Sequence, residues 1–332
     1  RSTDWDTHGI MAIETMKNNM HAFVEVPLAN TIKDLWEIVN TSEKFQKHCM
    51  MMENVNYGRE ELMFLNICRK GLLGELYHGE AAYIHDLRWQ MYEEEIGTGS
   101  WRTLQYEKKK GNLYPTHGLG PVSQYMNLLR TEDTFKSLIS FSSPALGREK
   151  FAKENFKENH KWNKLNYQNG DINTTVIKTY LGRTIMVQWD ETSPRPYTRL
   201  NLIQGTKGIL AGGPTRAAFD NGFEGYTKDA EEWIIGEGID ALYEKYDHPM
   251  YKRLNKITQD SGHGGMDGMM VYRIIECLRK GEPLDQNVYE GCAWSSLIEL
   301  TSNSVNNNGQ PQDFPDFTRG NWVNTNTFDI IP

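Results

Sequence analysis

Histidine and tyrosine, two side chains able to move protons, recur together in this 332-residue sequence. Tyr83-Ile-His85 sets two titratable rings at i and i+2, on one face of an extended segment. Tyr114 and His117 share the stretch Tyr114-Pro-Thr-His-Gly-Leu-Gly-Pro121, which is dense in breakers and reads as an ordered loop. Tyr197 follows Pro194-Arg-Pro196 just ahead of a strand pattern. Histidine exchanges protons near neutrality, whereas tyrosine needs a neighbour to lower its pKa. Each residue alone would serve equally well as a structural one. Two His–Tyr pairs at strand ends point to a proton-transfer site. Gly118-Leu-Gly120 and Gly262-His-Gly264-Gly265 are glycine-rich, yet neither follows a strand as a phosphate cradle requires.

The elements that must position these rings are organised around Cys49-Met-Met-Met-Glu-Asn-Val-Asn-Tyr57. Its apolar first half reads as a buried strand, and Glu53, Asn54 and Asn56 turn it polar at the carboxyl edge, where open α/β sheets bind ligands. Upstream, a helix is predicted over 9–19, capped by Asp6 or Thr7, then a strand over 21–25 stopped by Pro27. Thr31 opens a second helix, with Ile32, Leu35, Trp36 and Val39 on one side. With the strand over 48–52, this makes a parallel βαβ unit with a right-handed crossover.

Downstream, a helix over 58–70 ends at Gly71, and a strand over 76–84 follows. A polar, aromatic loop region then carries Trp89, Tyr92, Trp101 and Arg102, and Pro121 can begin a helix running to Leu129. Strands are predicted over 134–141, 174–180, 184–189 and 198–204, with a hairpin at Leu181-Gly-Arg183. Helices are predicted over 228–243, 268–280 and 289–302, the second capped by Gly262-His-Gly-Gly-Met-Asp267, and the tail from Asn306 is irregular. This order predicts an α/β plus α+β fold. Residues 1–57 form the C-terminal part of a Rossmann-type parallel sheet, and 58–332 an α+β domain with an open, mainly antiparallel sheet.

Thirty-six Lys and Arg face forty-four Asp and Glu, a net charge of -8 with no basic block, which argues against nucleic acid and anionic membrane surfaces as partners. No apolar run reaches membrane-spanning length. Cys49, Cys68, Cys277 and Cys292 show neither metal spacing nor a CxxC, so they read as free thiols or core residues, and no metal site is expected.

Trp5-Asp-Thr-His8, Glu25-Val-Pro27, Met51-Met-Glu-Asn-Val-Asn-Tyr57, the run from His78 to Arg88, and Tyr114-Pro-Thr-His117 together resemble glycoside hydrolase family 109. So do Tyr125-Met-Asn127, Pro194-Arg-Pro-Tyr197 and Gly262-His-Gly-Gly-Met-Asp267, and the likeness in order and spacing covers essentially the whole chain. The resemblance implies a bacterial glycosidase that removes terminal α-N-acetylgalactosamine from glycans or glycoconjugates and holds NAD. The implied fold is that of the glucose–fructose oxidoreductase/inositol dehydrogenase superfamily. It also places the family's glycine-rich first βα turn upstream of Arg1, so the sequence is expected to begin inside the nucleotide-binding half. Export to the periplasm or cell surface, and assembly into a homo-oligomer, are left open.

The resemblance assigns cofactor contacts to Trp5, Asp6, Thr7, His8, Glu25, Val26, Asn54 and Arg102, and the sugar site to Tyr83, Tyr114, Pro115, Thr116, His117 and Tyr197. Proton transfer falls to His117 and Tyr114, assisted by Tyr83 and His85, with Glu53 beside them. Related sugar dehydrogenases carry Glu-Lys-Pro, where the lysine helps deprotonate the oxidised hydroxyl. Here that position is Val26, which weighs against the alternative, an NAD(P)-dependent sugar oxidoreductase. The mechanism implied is redox-neutral: oxidation at C3, loss of the C2 proton, elimination across C1–C2, addition of water and return of the hydride.

Overall fold

The computed structural model describes residues 3–327. The chain opens with α1 (Trp5–Lys17), whose start is set by Asp4, the carboxylate accepting from the Asp6 N–H at 3.1 Å. Asp4, and not Asp6 or Thr7, is the cap, so the helix begins at Trp5 instead of position 9. β1 (Ala22–Val24), α2 (Ile32–Phe45) and β2 (Cys49–Met51) then form the expected βαβ unit, with Ala22 opposite Cys49 and Val24 opposite Met51 in parallel. Thr31 caps α2 through the Asp34 N–H, and Gln46 ends it in the left-handed conformation.

After a 3-10 turn at Asn54–Tyr57, α3 (Arg59–Arg69) stops at Lys70, with Gly71 at φ 68° beyond it. β3 (Leu76–Ile84) has the bounds its sequence pattern predicts. The next stretch corrects the reading. A 3-10 turn at Arg88–Tyr92 and α4 (Thr98–Lys108) stand where a loop was expected. The face α4 buries is largely polar, Arg102, Thr103, Gln105 and Tyr106, so it leaves no hydrophobic period to read. α5 (Thr116–Tyr125) likewise replaces the expected loop, with Pro121 inside it and not at its start. Its glycines serve close packing: a Cβ on Gly118 would lie 2.3 Å from the Ala82 nitrogen, so only glycine lets α5 lie directly on β3.

β4 (Phe135–Ser142), α6 (Gly147–Asn155), β5 (Asn173–Thr179), β6 (Thr184–Asp190), β7 (Leu202–Gly205), β8 (Gly208–Ala211) and β9 (Arg216–Phe219) follow. α7 (Glu237–Tyr246), α8 (Pro249–Thr258), α9 (Met266–Lys280), α10 (Val288–Asn306) and β10 (Gln312–Asp313) complete the fold. The large sheet runs β10-β4-β5-β6-β3-β7-β8-β9 and is antiparallel except between β3 and β6. The strand expected over 198–204 shortens to β7 because Leu200 and Asn201 are left-handed, at φ 57° and 50°. The helix expected from 228 begins only at Glu237, after Gly236 at φ 53°. β10 and a 3-10 turn at Asn321–Asn324 interrupt the otherwise irregular tail, whose last five residues lie outside the described range.

Two features position the site. The parallel pairing of β3 with β6 brings both carboxyl ends to one edge, where the His85 N–H donates to Asp190 O at 2.8 Å and the Leu87 N–H to Glu191 O at 3.1 Å. α10 ties the small parallel sheet to the large one. Its Ser295 Oγ accepts from the Leu28 N–H at 3.0 Å, and Ser304 Oγ accepts from the Ser140 N–H of β4 at 2.9 Å. One hydrophobic core runs through both sheets. The four cysteines are free thiols. Among the described residues no helix is long and apolar enough to cross a membrane, and no three His, Cys, Asp or Glu are grouped to hold a metal.

Candidate active site

The carboxyl edge of β2 delivers Glu53, fully buried, to the first turn of α5, where its Oε1 lies 2.6 Å from His117 Nδ1. The Val55 N–H donates to the same oxygen at 3.2 Å. An oxygen already accepting from a backbone N–H accepts from the ring as well, which assigns the proton to Nδ1 and leaves the Nε2 lone pair free. Gly120 makes the approach possible, since a Cβ there would lie 3.1 Å from Glu53 Cγ. The loop carrying Glu53 is pinned at both ends. Gln286 Nε2 donates to the Glu53 carbonyl at 3.0 Å, and the Tyr57 hydroxyl donates to Asp285 at 3.2 Å.

Around His117 the aromatic rings close up. Its centroid is 5.3 Å from that of Tyr83 and 4.9 Å from that of Tyr114, which are 4.8 Å from each other. The Tyr83 hydroxyl reaches His85 Nδ1 at 3.3 Å, and the Tyr197 ring lies 5.1 Å from the His85 ring. Behind them the buried Arg102 guanidinium stacks over Trp5 (4.9 Å) and Tyr114 (5.3 Å) and faces Glu191 Oε1 at 3.4 Å. Glu191, fully buried just past β6, also accepts from the Tyr106 hydroxyl at 2.7 Å, which in turn accepts from Arg148 at 3.2 Å.

Electrostatics sort these groups by role. Burial holds the Tyr83 and Tyr114 phenols well above the usual tyrosine range, against the pull of Arg102, so both are neutral hydrogen-bond donors. Burial also pushes the His85 imidazole below its ordinary value, opposed by Glu191, so neutral His85 accepts from the Tyr83 hydroxyl. His117 keeps its Nε2 lone pair because Glu53 holds the Nδ1–H.

A cleft of about 310 Å³ opens beside His117 and Tyr114, floored by Glu25, Val26, Met52 and Asn54 at the ends of β1 and β2 and walled by His263, Asp267 and Met270 at the start of α9. Asp267 Oδ1 accepts from Asn54 Nδ2 at 2.7 Å, and its Oδ2 lies 2.7 Å from His263 Nδ1. Asn54 Oδ1 is buried with no partner among the described residues.

The expected site residues thus converge unevenly. Glu53, Tyr83, His85, Tyr114, His117, Tyr197, Trp5 and Arg102 form one ring system, and Glu25, Val26 and Asn54 adjoin it. Pro115 and Thr116 are buried at the start of α5. His8 Nδ1 lies 2.7 Å from the Pro27 carbonyl, and its ring borders a second cleft of about 450 Å³ along β1, away from the His–Tyr ring. Asp6 accepts from Asn30 and Gln105, and Thr7 donates to the Asp4 carbonyl. Reading the sequence missed Glu191, Tyr106, Arg148 and Gln286. Only Glu191 left a signal, as an acid directly after a strand.

Residues 57–324 match the family model for the glycosyl hydrolase 109 C-terminal domain. Two Akkermansia muciniphila proteins, glycosyl hydrolase family 109 proteins 1 and 2, are 60% and 57% identical to this chain, over 98% and 99% of it and 68% and 69% of their own lengths. A glycosyl hydrolase family 109 protein of Shewanella sp. (strain W3-18-1) is 57% identical over 99% of this chain and 71% of its own. Among solved structures, levoglucosan dehydrogenase in complex with NADH and L-sorbose superposes with a TM-score of 0.69 at 15% identity, over 96% of this chain and 79% of that one. An NAD-binding oxidoreductase from Klebsiella pneumoniae gives 0.68 at 13%, over 94% and 78%. At such identities the likeness shows the fold.

Proposed function

We propose, on the premise that the chain belongs to glycosyl hydrolase family 109, that this glycosidase removes terminal α-linked N-acetylgalactosamine from glycans in a redox-neutral cycle that uses NAD. The observation that carries the reading is the His117–Glu53 pair at the carboxyl edge of the parallel strands. Glycosidases of the common type set two carboxyl groups across the scissile bond. Here Glu53 is buried behind His117, Asp267 is shared between Asn54 and His263, and Glu25 lies on the cleft floor with Val26 and Asn54, so the group beside the Tyr83 and Tyr114 rings is an imidazole.

The residues present fit a nicotinamide. The cleft lies at the carboxyl ends of β1 and β2, where dinucleotide sheets bind their ligand, and the orphaned buried Asn54 Oδ1 is an acceptor suited to a carboxamide N–H. Glu25, Val26 and Asn54 would hold that end of the cofactor. When bound, NAD supplies the hydride acceptor for C3 of the sugar and the donor that restores it. The protein's own work is to bind, orient and move protons. Tyr83 and Tyr114, as neutral donors, hydrogen-bond the sugar oxygens. With C3 oxidised, the C2 proton is acidic. His117 Nε2 takes it, Glu53 stabilises the resulting imidazolium, and the proton returns to C2 at the end of the cycle. Tyr197, half exposed and held by Arg199 Nη1 at 2.8 Å, offers its ring face to the sugar.

The test follows the full-length enzyme on an aryl α-N-acetylgalactosaminide, recording the aglycone and the NADH absorbance together. Aglycone release with no net NADH is expected. Stoichiometric NADH with an uncleaved, oxidised sugar would make it a dehydrogenase.

A further inference from the structure

The first turn of α3 carries two acids, Glu60 and Glu61, and both reach across to the segment that bears Tyr197. Acids in a first turn ordinarily favour the helix dipole from the surface. Glu61 is instead 2% exposed. Its Oε1 accepts from Arg199 Nη2 in an ion pair and from Asn201 Nδ2 at 3.4 Å. A Cβ on Gly58 would collide with Glu61 Oε2, so glycine at the helix start makes room for the carboxylate. Glu60 Oε1 accepts from Asn201 Nδ2 at 2.7 Å, and its Oε2 accepts from the Thr215 hydroxyl. Arg199 carries the hold to the site. Its Nη1 donates to the Tyr197 hydroxyl at 2.8 Å, and its carbonyl accepts from the Ala82 N–H of β3 at 2.7 Å. Leu200 and Asn201 are left-handed, and non-glycine residues keep that conformation only where their surroundings fix it, as the two carboxylates do here. On its other side the Tyr197 ring stands edge-on to His85 at 5.1 Å and to Tyr83 at 6.1 Å. At 47% exposed, the ring has little packing to hold it and depends on its anchored hydroxyl.

Resting on the function proposed above, we propose that Glu61 is a positioning residue of the sugar site: acting through Arg199, it sets the Tyr197 ring at the angle to His85 and Tyr83 on which the substrate sugar lies. Glu61 touches neither sugar nor cofactor. The arginine fork is what makes the relay possible, since one arm takes the carboxylate and the other the phenol. The Glu60 bond to Asn201 supports the same segment from its far end. α3 also begins directly after the 54–57 turn that follows Glu53, so one helix ties the histidine-orienting loop to the aromatic platform.

The test is a double-mutant cycle in the NAD-loaded full-length enzyme, read as KM and kcat on an aryl α-N-acetylgalactosaminide. Glu61→Gln keeps the volume and an acceptor oxygen but loses the charge that holds Arg199. It should raise KM by about 3- to 10-fold and leave kcat within about twofold of wild type. Tyr197→Phe cuts the link between Arg199 and the ring. In that background Glu61→Gln should leave KM within about twofold of Tyr197→Phe alone. Arg199→Lys keeps a positive charge without the two-armed fork; it should follow the same pattern and serves if Glu61→Gln does not fold. An equal rise in KM with and without the Tyr197 hydroxyl would make Glu61 a support of the fold alone and overturn the assignment. So would an unchanged KM in folded Glu61→Gln, or a loss confined to kcat. Absence of hydrolysis by the wild-type enzyme would sink the proposed function itself, and this assignment with it.

Discussion

Replacing Glu53 with glutamine isolates the charge behind His117. The amide keeps the volume of a fully buried side chain, and its carbonyl can still accept from His117 Nδ1 and the Val55 N–H, so ring orientation and tautomer survive. What is lost is the negative charge that stabilises the imidazolium when the C2 proton is taken. At about 4 Å between charge centres and an effective dielectric of about 20, that charge is worth about 4 kcal/mol. The corresponding loss of turnover is about a thousandfold. The amide nitrogen takes the place of Oε2, which has no partner among the described residues, so an unsatisfied buried donor should cost about 1–3 kcal/mol of stability. Hydrolysis of an aryl α-glycoside under saturating NAD, alongside a urea unfolding curve, reads both effects. Turnover within about tenfold of wild type, in a folded variant that binds NAD normally, would show that Glu53 is packing and not part of proton transfer.

Other perturbations have distinct signatures. Tyr197→Phe removes the hydroxyl that accepts from Arg199 and should raise KM by about 2- to 10-fold with kcat little changed; an equal fall in kcat would give Tyr197 a role in the chemical step. Buried His248 has its imidazole pushed down to about 4 by burial, with Asp285 pulling the other way. The unfolded chain therefore binds a proton that the folded one refuses. Stability should be full above about pH 6.5 and fall as pH drops towards 4, with about 2 kcal/mol gone by pH 5. His248→Asn keeps a cap for the Met250 N–H and should flatten that slope in urea unfolding at pH 7 and 5; an unchanged slope would assign it to other groups.

The sequence was most legible where burial alternates or repeats and a breaker marks the end. β3 is bounded by glycine before and a polar run after, and the βαβ unit carries Thr31 as a true cap. It was least legible where polar residues are buried. α4 turns Arg102, Gln105 and Tyr106 inward because Glu191 and Asp6 wait there, from positions up to 99 residues away in the chain. α5 was misread because Gly118 and Gly120 look like loop residues, when their lack of a side chain is what seats the helix against β3 and Glu53. Tyr83, His85, Tyr114, His117 and Tyr197 could be picked out as proton-transfer candidates by type alone. Their division of labour could not, since it depends on which ring is buried over Arg102 and which meets a carboxylate.

The most direct test of the redox-neutral cycle is the fate of the hydrogen on C2. The full-length enzyme is to be run on an α-N-acetylgalactosaminide in deuterated water and the released sugar examined by NMR. Proton removal at C2 by His117, followed by its return from a site open to solvent exchange, is expected to leave deuterium at C2 in the product, with the hydrogen at C3 retained through the cofactor. Quantitative retention of the C2 hydrogen during full cleavage, in enzyme that stays active after its NAD has been reduced with borohydride, would contradict the mechanism and return the search to a pair of carboxylates.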